Sequence, residues 1–480
     1  MNRLRHWSVL AFSVIWTPGL KAQDKPASPW LIDRTLNVSP QSAPVPALRY
    51  RLLPLSSELK EGNAVPIYLR LVHEQSDAAR KFWTETPKAW NALPVDKMPL
   101  ADARKFLHDH RYFLQQFELG TRRRTAEWNY TLDNGDPIGL LLPDMQAMRN
   151  YTPMLILQAR TALAEGDFTA AAHHLETGFA FIRHVADGPT LIHKLVGFAL
   201  AQGFIGATAD FIERPDAPNL YWAITALPRP LIDQRKAEEW EYRMLEMEFA
   251  QLDDLDRERT AEQWDGILRR FRTGLRNMSI GFKQPKLPAF FPKDTAPEDA
   301  AAKSPDLPEA CKFVARTKGL SAEKVEAMPA AQVLLLHIMG TYHEDRDDFY
   351  RAMYLPCPQF FSVFDDAKKR LREAPISEGH VPARVLLSAL DRCTSRQVAV
   401  EIHLDALRII EALRMYAAAH DGQLPNKLSD VSEAPVPSDP GTGGPFEYSH
   451  EGDTATLVSH VPGDPPDRNG VRYRVTIRKK

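Results

Sequence analysis

Cysteine is scarce in this chain: Cys311, Cys357 and Cys393 are the only three in 480 residues. An odd count permits one disulfide and excludes the stapled framework of a small secreted scaffold, so stability must come from packing. All three are expected to be small buried hydrophobes. Their spacings match no zinc pattern. A dominant sign of charge is also missing. With 60 basic and 62 acidic side chains, no global field marks a nucleic-acid binder or an acidic tail. There is no GxSxG, no Gly-rich loop ending in Lys-Ser or Lys-Thr, and no GxGxxG, which lowers the enzyme reading without excluding it.

What is present begins with an export signal. Arg3 and Arg5 precede an apolar run from Ser8 to Trp16, a breaker at Pro18 and small Ala22 at a cleavage point. The run is shorter than the roughly 20 residues a spanning helix needs, so the mature chain is expected to be periplasmic or envelope-associated. Another apolar run, LVGFALAQGFIGATADFI, carries Gln202 and Asp210 with Lys194 just before it. That suits a buried helix better than a membrane span, and no stable span is expected after cleavage.

The chain divides by composition. Residues 1–22 read as signal peptide and 23–47, rich in Pro and Ser, as a tether. Residues 48–282 read as a helical repeat-like domain, opened by the extended segment LRYRLLP. Prolines at 285, 288, 292, 297, 305 and 308 make 283–308 a linker or loop, with Phe290 and Phe291 able to pin it to a surface. Residues 309–382 form a second helical region. Residues 383–480 are expected as a long helix, about Ala383 to Ala419, followed by a small antiparallel sheet of about three strands. The class is therefore mainly α, with the sheet packed on the long helix.

Several clusters invite chemical readings. HEDRD at 343–347 places His343 and Asp347 on one helix face, with Glu344 as a candidate base beside a zinc-bound water; a solvated charged face explains the same string. In EIHLD, His403 lies about 200° around a helix from Glu401 and Asp405, so the three cannot converge on one ion. His108 and His110 fail likewise, and His173 and His174 read as helix-face residues. GDPPDRNG offers Asp464, Asp467 and Asn469 as oxygen ligands for calcium, or a tight solvated turn. The basic runs TRRRT, RRFR and RYRVTIRKK read as solvated faces, the last alternating Arg472, Arg474 and Arg478 with Tyr473, Val475 and Ile477.

Two segments resemble known families. Ala159, Gly166, Phe168, Ala171, Leu175 and Gly178 follow the small, Gly, aromatic, small, large, small order of a tetratricopeptide repeat over about 34 residues, although Arg183 stands at the closing Pro position. Tyr416, Gly422, Pro425, Asp439, Pro440, Gly444, Pro445, Phe446 and Tyr448 follow the order of the C-terminal module of a type II secretion major pseudopilin, without the filament-forming N-terminal helix beside it. The resemblance implies a reused module and, as in some members of that family, possible calcium in the last loops. As a whole the chain resembles an exported bacterial protein. The expected function is an exported helical-repeat interaction or scaffold protein with a protein partner in the envelope. The alternatives are a metal-dependent hydrolase using the HExxD string and an accessory component of a pseudopilus-type assembly.

Overall fold

The computed structural model describes residues 30–74, 76–130, 142–281, 301–375, 377–387, 390–465 and 467–479. The signal peptide, residues 23–29 of the tether and residues 283–300 of the linker lie outside the described residues. The chain is mainly α with a small C-terminal sheet on its longest helix.

Strand β1 (Trp30–Val38) opens the described chain, and β2 (Lys60–Asn63) leads into α1 (Val65–His73), α2 (Asp77–Asn91), α3 (Leu100–Asp109) and α4 (Arg111–Thr121). After β3 (Arg123–Thr125) come α5 (Pro143–Glu165), α6 (Phe168–Ala186), α7 (Leu191–Glu213) and the short α8 (Tyr221–Thr225). The middle holds α9 (Arg235–Tyr242), α10 (Met244–Glu248), α11 (Ala261–Gly281), α12 (Leu307–Lys318), α13 (Ala322–Glu326), α14 (Ala330–Met353) and α15 (Cys357–Glu373). The chain ends with α16 (Val381–Leu386), α17 (Leu390–Ala419), β4 (Glu447–Glu451), β5 (Thr454–His460) and β6 (Asn469–Ile477).

These elements form two compact units, one from residues 25–130, 142–240 and 392–480, the other chiefly from 241–391. This division differs from the compositional one. The stretch expected as a single domain over 48–282 is cut at 240, and its first part joins the C-terminal module. Leu48 to Pro54 forms bends and turns rather than an extended entry, and Leu307 and Pro308 already belong to α12. The long helix also starts later than expected, after the separate α16.

In the first unit α5, α6 and α7 pack consecutively. Gly166 ends α5 in the left-handed region at φ 77°, where glycine has no Cβ penalty. Asp167 then caps α6, its carboxylate accepting from the Ala170 N–H at 2.9 Å. Ala159, Ala171 and Leu175 are wholly buried, and Phe168 packs on Phe211 with ring centroids 5.5 Å apart. Gly178 is required by close approach, since a Cβ there would lie 2.0 Å from the Phe204 ring. No disulfide joins Cys311, Cys357 and Cys393.

The sheet departs most from expectation. Its order is β1-β6-β5-β4, so a fourth strand comes from within the span read as a tether. β1 runs parallel to β6, with Trp30 opposite Asn469 and Val38 opposite Ile477. The reason is packing: Leu36 and Val38 are wholly buried, while Asp33, Thr35 and Asn37 alternate outward. β5 pairs antiparallel with both neighbours.

Candidate functional site

The most elaborate polar construction of the first unit is the mounting of the sheet on its helices. From β1, Arg34 donates to Asp210 Oδ1 at 2.7 Å and Glu213 Oε2 at 2.8 Å on α7. Arg160 of α5 approaches the other Asp210 oxygen at 2.8 Å, so one carboxylate lies between two guanidiniums. Arg160 also donates to the carbonyls of Asn91 and Leu93, each at 2.6 Å. The Asn37 N–H donates to Glu213 Oε1 at 3.2 Å.

α17 carries the opposite side of this mounting. Glu401 and Asp405 both face Arg229, at 2.9 Å each. His403 points away from them, its Nε2 3.0 Å from the Gly470 carbonyl of β6, and burial lowers its imidazole to about 4. The helical rotation inferred from EIHLD therefore holds. About two turns on, Glu411 accepts the Leu220 N–H at 2.9 Å, and Arg414 donates to the carbonyls of Ser39 at 2.9 Å and Ala217 at 2.6 Å. Buried charges are tolerable only when paired and fully bonded in this way.

A second cluster sits at the α6 to α7 corner. Lys194, 1% exposed, donates from Nζ to the Ala186 carbonyl at 2.5 Å, placing a cation on the last turn of α6. Burial lowers its ammonium. The same burial raises the Glu238 carboxyl to about 7, assisted by Asp233. His193 lies between the Thr190 and Tyr130 hydroxyls, 2.8 Å from each, and is lowered to about 3 by burial and by Lys194. Perturbed groups of this kind occur in active sites and in structural networks alike. Here Lys194 and His193 are closed off from solvent, and both bind parts of the fold.

The second unit contains HEDRD on α14. His343 and Asp347 share a helix face as expected, but different partners hold them. His343 Nε2 lies 2.9 Å from Glu246 Oε1. Asp347 accepts from the Tyr242 hydroxyl at 2.9 Å and from Arg346 at 3.3 Å. Glu344 is exposed. Arg346 also lies over the Tyr242 ring, 3.5 Å from its centroid, so a guanidinium occupies the space between these carboxylates. The candidate that the spacing did not single out is Asp345, whose Oδ2 is 2.7 Å from His380 Nδ1. Only a distant segment supplies that partner.

The calcium candidates meet only in part. Asp464 accepts from the Asn469 amide, Asn469 Oδ1 accepts from Arg396, and Asp467 is exposed. Arg396 sends a cation where a metal would need a free oxygen. No group of three His, Cys, Asp or Glu side chains arranged to hold a metal occurs among the described residues. The basic runs are drawn into pairs: Arg122 with Glu176, Arg124 with Glu61 at 2.7 Å, and Arg272 with Glu378 at 2.8 Å.

The residues quoted for the tail build the turn before the sheet. Tyr416 stacks on His420 with centroids 3.9 Å apart, and Gly422, at φ 81°, returns its N–H to the Ala417 carbonyl at 2.8 Å. Pro425 accepts from the Tyr448 hydroxyl at 2.8 Å. Asp439 clamps the loop through Pro440, Gly444, Pro445 and Phe446: it accepts from the Gly441 N–H and the Ser459 hydroxyl, each at 2.7 Å, and its own N–H donates to the Gly444 carbonyl at 2.7 Å. Phe446 is buried. The chain matches no known family model, no curated protein and no solved structure.

Proposed function

We propose that this protein is an exported interaction or scaffold protein of the cell envelope that works through its sheet module. The observation that carries this reading is the outer face of the sheet. Asp33, Thr35 and Asn37 of β1, Arg472, Arg474 and Thr476 of β6, and Thr454, Thr456 and Val458 of β5 lie in cross-strand rows on one face. Behind that face β1 is tied to α7 by the half-buried ion pairs of Arg34 with Asp210 and Glu213, and β6 to α17 by the hydrogen bonds of His403 with the Gly470 carbonyl and of Arg396 with Asn469, which gives a rigid platform of the kind binding surfaces need. The tail's residue order supports a narrower version in which the partner belongs to a pseudopilus-type assembly. Export rests on the N-terminal text, and the repeat-like hairpin of α5 and α6 would supply the helical body.

The test is co-precipitation of the tagged full-length chain from envelope extracts, beside a variant with Thr456→Arg in the middle of the outer face. A partner retained by the wild type and lost by the variant supports the reading. Equal capture by both, or none by either, contradicts it.

A further inference from the structure

The four-stranded sheet has two edges, and they are treated differently. Along β1, the Asn37 N–H is taken by Glu213, and the Arg34 side chain, on the inner face, reaches Asp210 and Glu213, so the end of α7 engages one backbone group of that edge. β4 is the other edge. It pairs with β5 from Glu447 opposite Val458 to Glu451 opposite Thr454. Among the described residues, no backbone bond extends from the outer side of β4 to another segment.

Charge distinguishes the edges further. Asp33 on β1 stands in register with Arg472 on the adjacent strand and is ion-paired with Arg472 at 3.6 Å and Arg474 at 2.7 Å. Glu447 lies in the same cross-strand row as Val458, Arg472 and Asp33, and Glu451, four residues on, shares its face. Both are exposed. Their neighbours on β5, Val458 and Thr454, are uncharged, and no ion pair between described residues uses either glutamate. Asp33 thus has a cationic neighbour strand, whereas Glu447 and Glu451 face uncharged residues on β5 and, among the described residues, no backbone-paired strand on the outer side of β4.

We propose that β4 accepts a fifth strand: an extended protein segment carrying Lys or Arg at two positions four residues apart, facing Glu447 and Glu451 as Arg472 and Arg474 face Asp33. This rests on the reading of the protein as an interaction module and specifies the chemistry of its partner. Main-chain hydrogen bonds along the edge supply affinity and the paired charges supply selection. A second copy of this chain is a poor occupant, because antiparallel pairing of β4 with itself sets Glu447 opposite Glu451 of the other copy and like charges face each other.

The experiment titrates the purified full-length protein, at low salt, with three short peptides of equal strand propensity that carry Lys, Glu or Ser at the two positions. Binding is followed by calorimetry. The Lys peptide is expected to bind about tenfold more tightly than the Glu peptide, and the double variant Glu447→Lys, Glu451→Lys to reverse that order. Unchanged thermal unfolding of the variant establishes that its fold is intact. Equal binding of all three peptides, no saturation by about 1 mM, or a concentration-dependent dimer abolished by the double variant overturns the proposal. A partner captured from envelope extracts by wild type and double variant alike would overturn this edge as the site while leaving the interaction reading standing.

Discussion

Glu411 and Arg414, three residues apart on α17, form an ion pair at 2.8 Å with neither side chain exposed. The pair also joins three distant backbone segments, through the Leu220 N–H and the carbonyls of Ser39 and Ala217. Removing one charge leaves the other buried and uncompensated, which costs about 3–5 kcal/mol. Arg414→Met is therefore expected to lower the urea midpoint sharply. The double variant Glu411→Gln, Arg414→Met should be more stable than the sum of the single changes implies, and a double-mutant cycle measures the difference.

Gly470 offers a sharper steric test. At φ 147° it sits where a Cβ would lie 2.3 Å from the Ser459 carbonyl oxygen, directly above the His403 bond. Gly470→Ala should cost about 1–3 kcal/mol by overpacking, and the loss should appear first as faster amide exchange in β5 and β6. Exchange unchanged in both strands would contradict that placement.

Arg34 is half-buried and ties β1 to α7. Arg34→Met should cost about 1–2 kcal/mol and accelerate amide exchange in β1 while leaving α5 and α6 protected, since the strand can open without the hairpin. Equal acceleration across the unit would mean that the strand and the helices open together.

Titration gives opposite slopes. Glu238 has a native value of about 7 against an ordinary 4.5, so between these the native state holds the extra proton. Its contribution is fully present below 4.5 and is lost as pH rises through 7, by up to about 1.4 kcal/mol per unit. His403 is lowered from 6.5 to about 4, so the unfolded state takes the proton first. Its contribution is present above 6.5 and is lost as pH falls toward 4. Glu238→Gln should flatten the neutral arm of the stability profile and leave the acid arm in place, as read by denaturant unfolding across pH.

Local chemistry was legible and remote pairing was not. Gly166 and Asp167 mark the α5 to α6 turn because a left-handed stop and an N-terminal cap need only their own neighbours. The divergence of His403 from Glu401 and Asp405 follows from helix rotation alone. β1 was hidden by its Pro- and Ser-rich flank, although Arg34, Leu36 and Val38 alternate with Asp33, Thr35 and Asn37. Its partner strand lies at the far end of the sequence, as the separation of 441 residues between Asp33 and Arg474 shows. HEDRD shows the same divide: helix period places His343 and Asp347 on one face, and their partners Glu246 and Tyr242 arrive from another segment. Nothing local announced Asp345 with His380, or Arg34 with Asp210.

The central claim, that the sheet module is the working surface, is tested most directly by photo-crosslinking in intact cells. A photoreactive residue at position 456, on the outer face of the sheet, is compared with one at exposed Lys312 on α12. The account predicts a discrete protein adduct from position 456 and none from 312. Adducts of the same size and yield from both positions, or from 312 alone, would contradict it.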